Sequence, residues 1–266
     1  MRLQRREWLG GSVLVVWVCA GLVACSNEPP STGVGFRDYQ PATLAEAVLL
    51  GNRTAVENFL ALGVDPNEPE ADGTTPLMRA VHGRRAELAE LLIAASADVN
   101  EDNSYGVTPL YIAARAGDPV ATRMLLAAGA NANTALPAGE TVLMTAAKAG
   151  NTDVVRALLT GGTNVSLLEL AEQRAQAQVF ESAGYSVARN PTAGTNYADV
   201  NARERWYGRT ALMIAAAEGH GDVVRLLIEA GSAVDLLDQE GSSALSLARS
   251  YGHLDVAATL AEAGAG

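Results

Sequence analysis

Between residues 73 and 100 the chain reads Gly73-Thr74-Thr75-Pro76-Leu77, then Ala80, Leu91-Leu92-Ile93 and Ser96-Ala97-Asp98-Val99-Asn100. The same order of residue types returns as Gly106-Val107-Thr108-Pro109-Leu110, Ala113-Ala114, Gly117, Leu125-Leu126 and Gly129-Ala130-Asn131-Ala132-Asn133. It returns again as Gly208-Arg209-Thr210-Ala211-Leu212, Ala215-Ala216, Gly219-His220, Leu226-Leu227-Ile228 and Gly231-Ser232-Ala233. Leu44, Leu77, Leu110, Leu143, Leu212 and Leu245 mark corresponding points; four of the five steps are 33 residues, and the other is 69. A fixed period of this size signals supersecondary units that stack, because one unit cannot bury its apolar face alone.

Each unit carries its own instructions. Thr75, Thr108, Thr141, Thr210 and Ser243 share one position, where a hydroxyl can accept an orphan N–H at a helix start. Pro76 and Pro109 follow at the first helical site, where the missing N–H is harmless. Small residues such as Ala113 and Ala114 allow close helix approach. A second helix then shows apolar residues at i, i+3 and i+4: Leu88, Leu91, Leu92; Val154, Ala157, Leu158; Val223, Leu226, Leu227. Gly63, Gly129, Gly162, Gly231 and Gly264 stand where that helix must stop in a left-handed conformation.

These residues resemble the ankyrin repeat over roughly residues 36–266. The resemblance implies an all-α solenoid of helix-turn-helix units with β-turn or hairpin tips. It also implies protein binding. The family usually places His after the reference leucine, but this chain has Ala45, Met78, Tyr111, Met144, Met213 and Ser246 there. The bond from that His to the capping hydroxyl is therefore expected to be absent, leaving each unit slightly weaker. His220 and His253 follow a Gly at one repeat position, where the family commonly uses a structural His.

The 69-residue step reads as two periods plus three, so about six full repeats and one degenerate repeat are expected. Leu168-Glu169-Leu170-Ala171 imitates a first helix and Ser182-Ala183-Gly184 the end of a second, placing the degenerate repeat at 167–184. Residues 185–197 read as an inserted loop.

The N-terminus reads as an address. Arg2, Arg5 and Arg6 precede an apolar run from Val13 to Val23, which ends in Leu22-Val23-Ala24-Cys25. That is the pattern of an export signal over residues 1–24, and the run is shorter than the ~20 residues of a comfortable membrane span. Leu-Val-Ala-Cys resembles a bacterial lipobox, which implies a signal peptide ahead of a diacylated Cys25. An ordinary signal peptide or a retained anchor helix are the alternatives. Arg5-Arg6-Glu7-Trp8-Leu9 also resembles a twin-arginine signal. Residues 25–35 would form the acylated cysteine and a polar tether, reaching roughly 18 Å as a flexible coil and about 35 Å stretched. Ser26 after the lipidated cysteine favours the outer over the inner membrane under the usual sorting rule. The expected location is thus the periplasm-facing cell envelope.

Charge narrows the partners. The chain has net charge −11; removing Arg2, Arg5, Arg6 and Glu7 leaves 16 basic against 29 acidic residues, net −13. Such a body repels phosphate, so nucleic acid is not an expected partner. Cys19 and Cys25 are the only cysteines, and both precede the repeats, so no disulfide is expected in a domain that would act as a monomer.

No His/Cys/carboxylate cluster has metal-ligand spacing, no glycine-rich phosphate loop appears, and no serine is flanked as a nucleophile, so neither catalysis nor a cofactor is expected. Function in such a stack sits on turn tips and the outward face of the first helices. Tyr39, Asp72, Tyr105, Ala138, Tyr207 and Glu240 occupy the tips, five residues before each reference leucine. Trp206 stands beside Tyr207, with Arg203, Arg205 and Arg209 around the pair, so residues 185–209 are net +2 on an acidic domain. His82, Arg115, Lys148, Glu218 and Tyr251 mark the first helices. Trp, Tyr and Arg dominate interface energetics. The expected partner-binding residues are Trp206, Tyr207, Arg209, Arg205, Tyr105, Tyr39, Arg115 and Tyr251. They would hold a periplasmic protein, with a lipid anchor at Cys25. An inhibitor or immunity-type regulator of a periplasmic enzyme, or an oxidative-stress protection factor, are the rival readings.

Overall fold

A computed structural model describes residues 41–162 and 197–266. Twelve helices lie among them, in six pairs. The pairs are α1 (Leu44–Leu50) with α2 (Arg53–Ala61), α3 (Pro76–His82) with α4 (Ala86–Ala94), and α5 (Pro109–Arg115) with α6 (Pro119–Ala127). They continue with α7 (Val142–Lys148) and α8 (Thr152–Leu159), α9 (Ala211–Glu218) and α10 (Gly221–Glu229), and α11 (Ala244–Ser250) and α12 (Leu254–Glu262). The first helix of each pair packs on the first helices of its neighbours, and the second helices pack likewise. No strand occurs among the described residues, only an isolated antiparallel bridge between Ala135 and Thr141.

Local chemistry sets each layer as the sequence predicts. The hydroxyls of Thr75, Thr108, Thr141, Thr210 and Ser243 all accept an N–H three residues on. The slot expected to have lost its histidine is partly refilled: the Thr141 N–H reaches Met144 Sδ at 3.5 Å, and the Ser243 N–H reaches Ser246 Oγ at 2.9 Å. The reference leucines and the alanines behind them are buried, and Val154, Ala157 and Leu158 line the inner face of α8.

Side chains tie the layers together across the 33-residue step. Arg85 Nη1 donates to the Val48 carbonyl at 2.6 Å, and Asn151 Nδ2 to that of Gly117 at 3.2 Å. His220 Nε2 lies 3.0 Å from the Lys148 carbonyl, and His253 Nε2 3.0 Å from that of Ala217. Both histidines are therefore structural links. Each imidazole sits on a glycine of the layer before; a Cβ on Gly219 would lie 2.5 Å from His253 Nδ1. Asparagines form a second ladder. The side-chain oxygens of Asn67, Asn100, Asn133 and Asn201 accept from Asp98, Asn131, Asp199 and Ala233 at 2.6 to 2.9 Å.

Across the long step the Leu143 and Leu212 units meet directly. Helices α7 and α9 pack directly on one another, as do α8 and α10. The Ala198 N–H donates to the Leu158 carbonyl at 3.0 Å, and Asn133 Nδ2 to that of Tyr197 at 2.9 Å. Among the described residues no layer stands between the Leu143 and Leu212 units. The repeat read at 167–184 and nearly all of the loop read at 185–197 lie outside the described residues. Among the described residues no helix is long and apolar enough to cross a membrane.

Candidate functional tip

Each layer after the first begins with a turn. In four tips the closing bond spans four residues: Glu70 to Thr74, Asn103 to Val107, Leu136 to Glu140 and Asp238 to Ser242. The tip before α9 closes from the Glu204 N–H to the Arg209 carbonyl and spans five. Neighbouring tips are stitched by backbone bonds from Ser104 to Asp72, Arg205 to Ala138 and Gln239 to Tyr207. Ser104, Arg205 and Gln239 each directly follow the first tip residue, so the extra residue is Trp206.

The longer loop needs a longer acceptor. In two of the four-residue tips the first residue is the acceptor: Asn103 Oδ1 accepts from Tyr105 and Val107, and Asp238 Oδ1 from Glu240 and Ser242. In the five-residue tip, the Glu204 carboxylate accepts from the N–H groups of Trp206 and Tyr207, each at 2.6 Å, and of Arg209 at 3.2 Å. Arg203 Nη1 adds a bond of 2.8 Å to the Leu237 carbonyl of the next layer. The tip is thus pinned from within and from both sides, while Trp206 is 68% exposed and Tyr207 51% exposed.

Of the sequence-expected site residues, Trp206, Tyr207, Arg205 and Arg209 meet on this tip. They differ in what they offer. Arg205 is exposed, whereas Arg209 lies over the Tyr207 ring at 5.1 Å and pairs with Asp238 at 3.2 Å and Glu240 at 3.6 Å. Its guanidinium is already engaged. The Asp238 carboxyl has no exposed side-chain surface. Burial opposes its ionisation, but the Ser242 N–H, the Arg209 guanidinium and the Glu240 N–H outweigh that and hold its pKa below the usual aspartate value.

Tyr105 is 68% exposed two tips away, with only the small Ala138 tip between. Arg115 and Tyr251 are exposed at the ends of α5 and α11. Cys25 and Tyr39 lie outside the described residues. Glu204 and Asp238 are the organising residues that sequence reading missed, although the acceptor Asn103 at the same tip position was a usable signal. Among the described residues no group of three His, Cys, Asp or Glu side chains is placed to hold a metal ion.

Paired antiparallel helices, stacked with a period of 33 residues and edged by projecting turns, define a repeat solenoid of the class that binds proteins along its face. A family model described as ankyrin repeats (3 copies) matches residues 44–135 and 175–266, and a second, described as ankyrin repeat, matches residues 138–169. The chain belongs to the ankyrin-repeat family. It is similar to the crystal structure of an ankyrin repeat domain from Acinetobacter baumannii, with 25% identity and a TM-score of 0.67, covering 84% of this chain and 98% of that one. It is also similar to a second solved ankyrin repeat protein, with 26% identity and a TM-score of 0.66, covering 84% and 98%.

Proposed function

We propose that this protein is a non-catalytic, lipid-anchored interaction module of a bacterial cell envelope. It holds a periplasmic protein against the row of tips and first helices, with Trp206 and Tyr207 as the anchor. The observation that carries this reading is an exposed Trp–Tyr pair on the one lengthened tip among the described residues, held in place before any partner arrives. Large aromatic side chains presented rigidly lose little entropy on binding, which is the property of an interface hot spot. The basic start, apolar run and Leu22-Val23-Ala24-Cys25 support export and acylation at Cys25, and Ser26 supports the outer membrane.

Crosslinking in intact envelopes tests the tip. Replacing Trp206 and Tyr207 with Ala should abolish a specific crosslinked complex while leaving the thermal midpoint within about 2 °C, since exposed side chains contribute little to stability. A complex that persists unchanged rejects the tip as anchor. Cys25→Ser should move the protein from the membrane fraction to the soluble fraction; retention of the variant on membranes rejects lipid anchoring at this residue.

A further inference from the structure

The last turns of α3, α5 and α7 carry His82, Arg115 and Lys148 at one repeat position, each 33 residues from the next. All three are exposed. Among the described residues, no ion pair or hydrogen bond engages their side chains, whereas Arg53 pairs with Glu57 and Glu87, Arg79 with Glu70, and Arg225 with Asp222. Arg115 and Lys148 are thus two unpaired cations in register, in a file with the imidazole of His82 one step before them, on a chain of net charge −11. The negative end of a helix favours a cation, but the same position holds Leu49, Ala217 and Ser250 in the other layers. The helix end therefore does not by itself demand one.

The file runs across consecutive packed helices, and packed helices stand about 8–10 Å apart. A partner that meets all three, pairing with Arg115 and Lys148 and accepting from the imidazole N–H of His82, must repeat a carboxylate at that distance on one side. A β-strand does not: every third residue turns to the opposite face. An α-helix repeats a face every seven residues, about 10.5 Å, outside the range. A polyproline-II segment has three residues per turn and rises about 3.1 Å per residue, so every third side chain returns to one face after about 9.3 Å. Such a segment is also stiff before binding, and its carboxylates meet a guanidinium at the centre of the file, the best fork for a carboxylate.

We propose that His82, Arg115 and Lys148 form a docking strip for an acidic polyproline-II peptide with a carboxylate at every third residue. This deepens the reading of the protein as a protein-binding module, and it does not depend on the Trp206 tip.

The test uses the full chain in non-ionic detergent and labelled peptides followed by fluorescence anisotropy. One peptide has three Glu-Pro-Pro repeats, a second has Gln in place of Glu, and a third keeps the composition but runs its glutamates together. The first should bind at least about tenfold tighter than both controls, and more weakly as salt is raised from about 50 to 200 mM. Arg115→Glu should remove that advantage, and a peptide with Lys in place of the central Glu should regain it on this variant. Arg115→Gln, of matched thermal midpoint, should lose about the same affinity for the first peptide through loss of the fork. Equal binding of the clustered peptide, indifference to Arg115→Glu, or preference for a helical peptide with glutamates seven apart each overturns the proposal. Tighter binding of inorganic polyphosphate than of the first peptide overturns it too, by assigning the strip to phosphate. The Trp206→Ala, Tyr207→Ala double variant should bind the first peptide normally. If that variant also keeps its envelope crosslink, the tip reading fails and the strip stands.

Discussion

The tip at Asn103–Val107 and the tip at Glu204–Arg209 do the same local job with chains of different length. Both reverse the backbone ahead of a capped first helix, and both present a tyrosine before a left-handed glycine. In the shorter tip a single Asn side chain satisfies two N–H groups and Tyr105 stands alone. The longer tip inserts Trp206 and draws on Glu204, Arg203, Arg209 and the next layer's Asp238 to hold the extra residue. An added residue in a turn costs order unless new bonds replace those it displaces. The longer tip therefore holds its extra residue with bonds that the shorter tip does not need.

Four substitutions and one titration can break or sharpen that contrast. The largest effect belongs to the seam where the longer tip meets its neighbour. A Cβ on Gly139 would lie 2.8 Å from the Arg205 backbone nitrogen, and the residue has φ +82°. Gly139→Ala should cost about 3 kcal/mol in chemical denaturation, against about 1 kcal/mol for Gly241→Ala, whose Cβ meets nothing within 4 Å. Equal costs would deny the close contact between the tips.

Arg209→Ala comes next, because it leaves the Asp238 carboxylate buried without its cation; a loss of about 2 kcal/mol is expected. Glu204→Ala should cost about 1–2 kcal/mol, more than Asn103→Ala, because three N–H groups lose their acceptor rather than two. Amide exchange at Trp206 and Tyr207 should quicken in parallel. The pH test follows from Asp238. Its folded pKa is lower than its unfolded value, so its stabilisation is full above the unfolded pKa and fades as pH falls through the folded one. Denaturation midpoints should therefore decline more steeply below about pH 4 in the parent than in Asp238→Asn. The smallest effect lies away from the tips and is a gain. Ser96 has φ +69° where the corresponding Gly63 and Gly129 have φ +80° and +93°, so Ser96→Gly should add up to about 1 kcal/mol. No gain would mean that Ser96 is unstrained.

Much of the fold was legible because its signals are local. Thr75, Pro76 and the Leu88–Leu92 stripe each act within one or two helical turns, and the structure places them as read. The histidines at 220 and 253 were legible as structural through the family resemblance at their position, and their carbonyl partners in the preceding layer supply the cause. The candidate site was legible as a list of exposed aromatic and basic residues but not as an arrangement. Arg209 looked like a free contact until Asp238 and Glu240 were found facing it from the next layer.

By itself the sequence determined the unit: where each helix starts, where it stops and which face it buries, since those choices are settled by bonds between near neighbours. Only the tertiary structure decided which units touch. The step from Leu143 to Leu212 is long enough for two layers, yet Asn133 reaches Asp199 and His220 reaches Lys148 directly. Closing a longer loop costs only slightly more than closing a short one, so chain length does not say how many layers lie along it. What settles the matter is whether two faces fit, and that fit joins residues far apart in the chain.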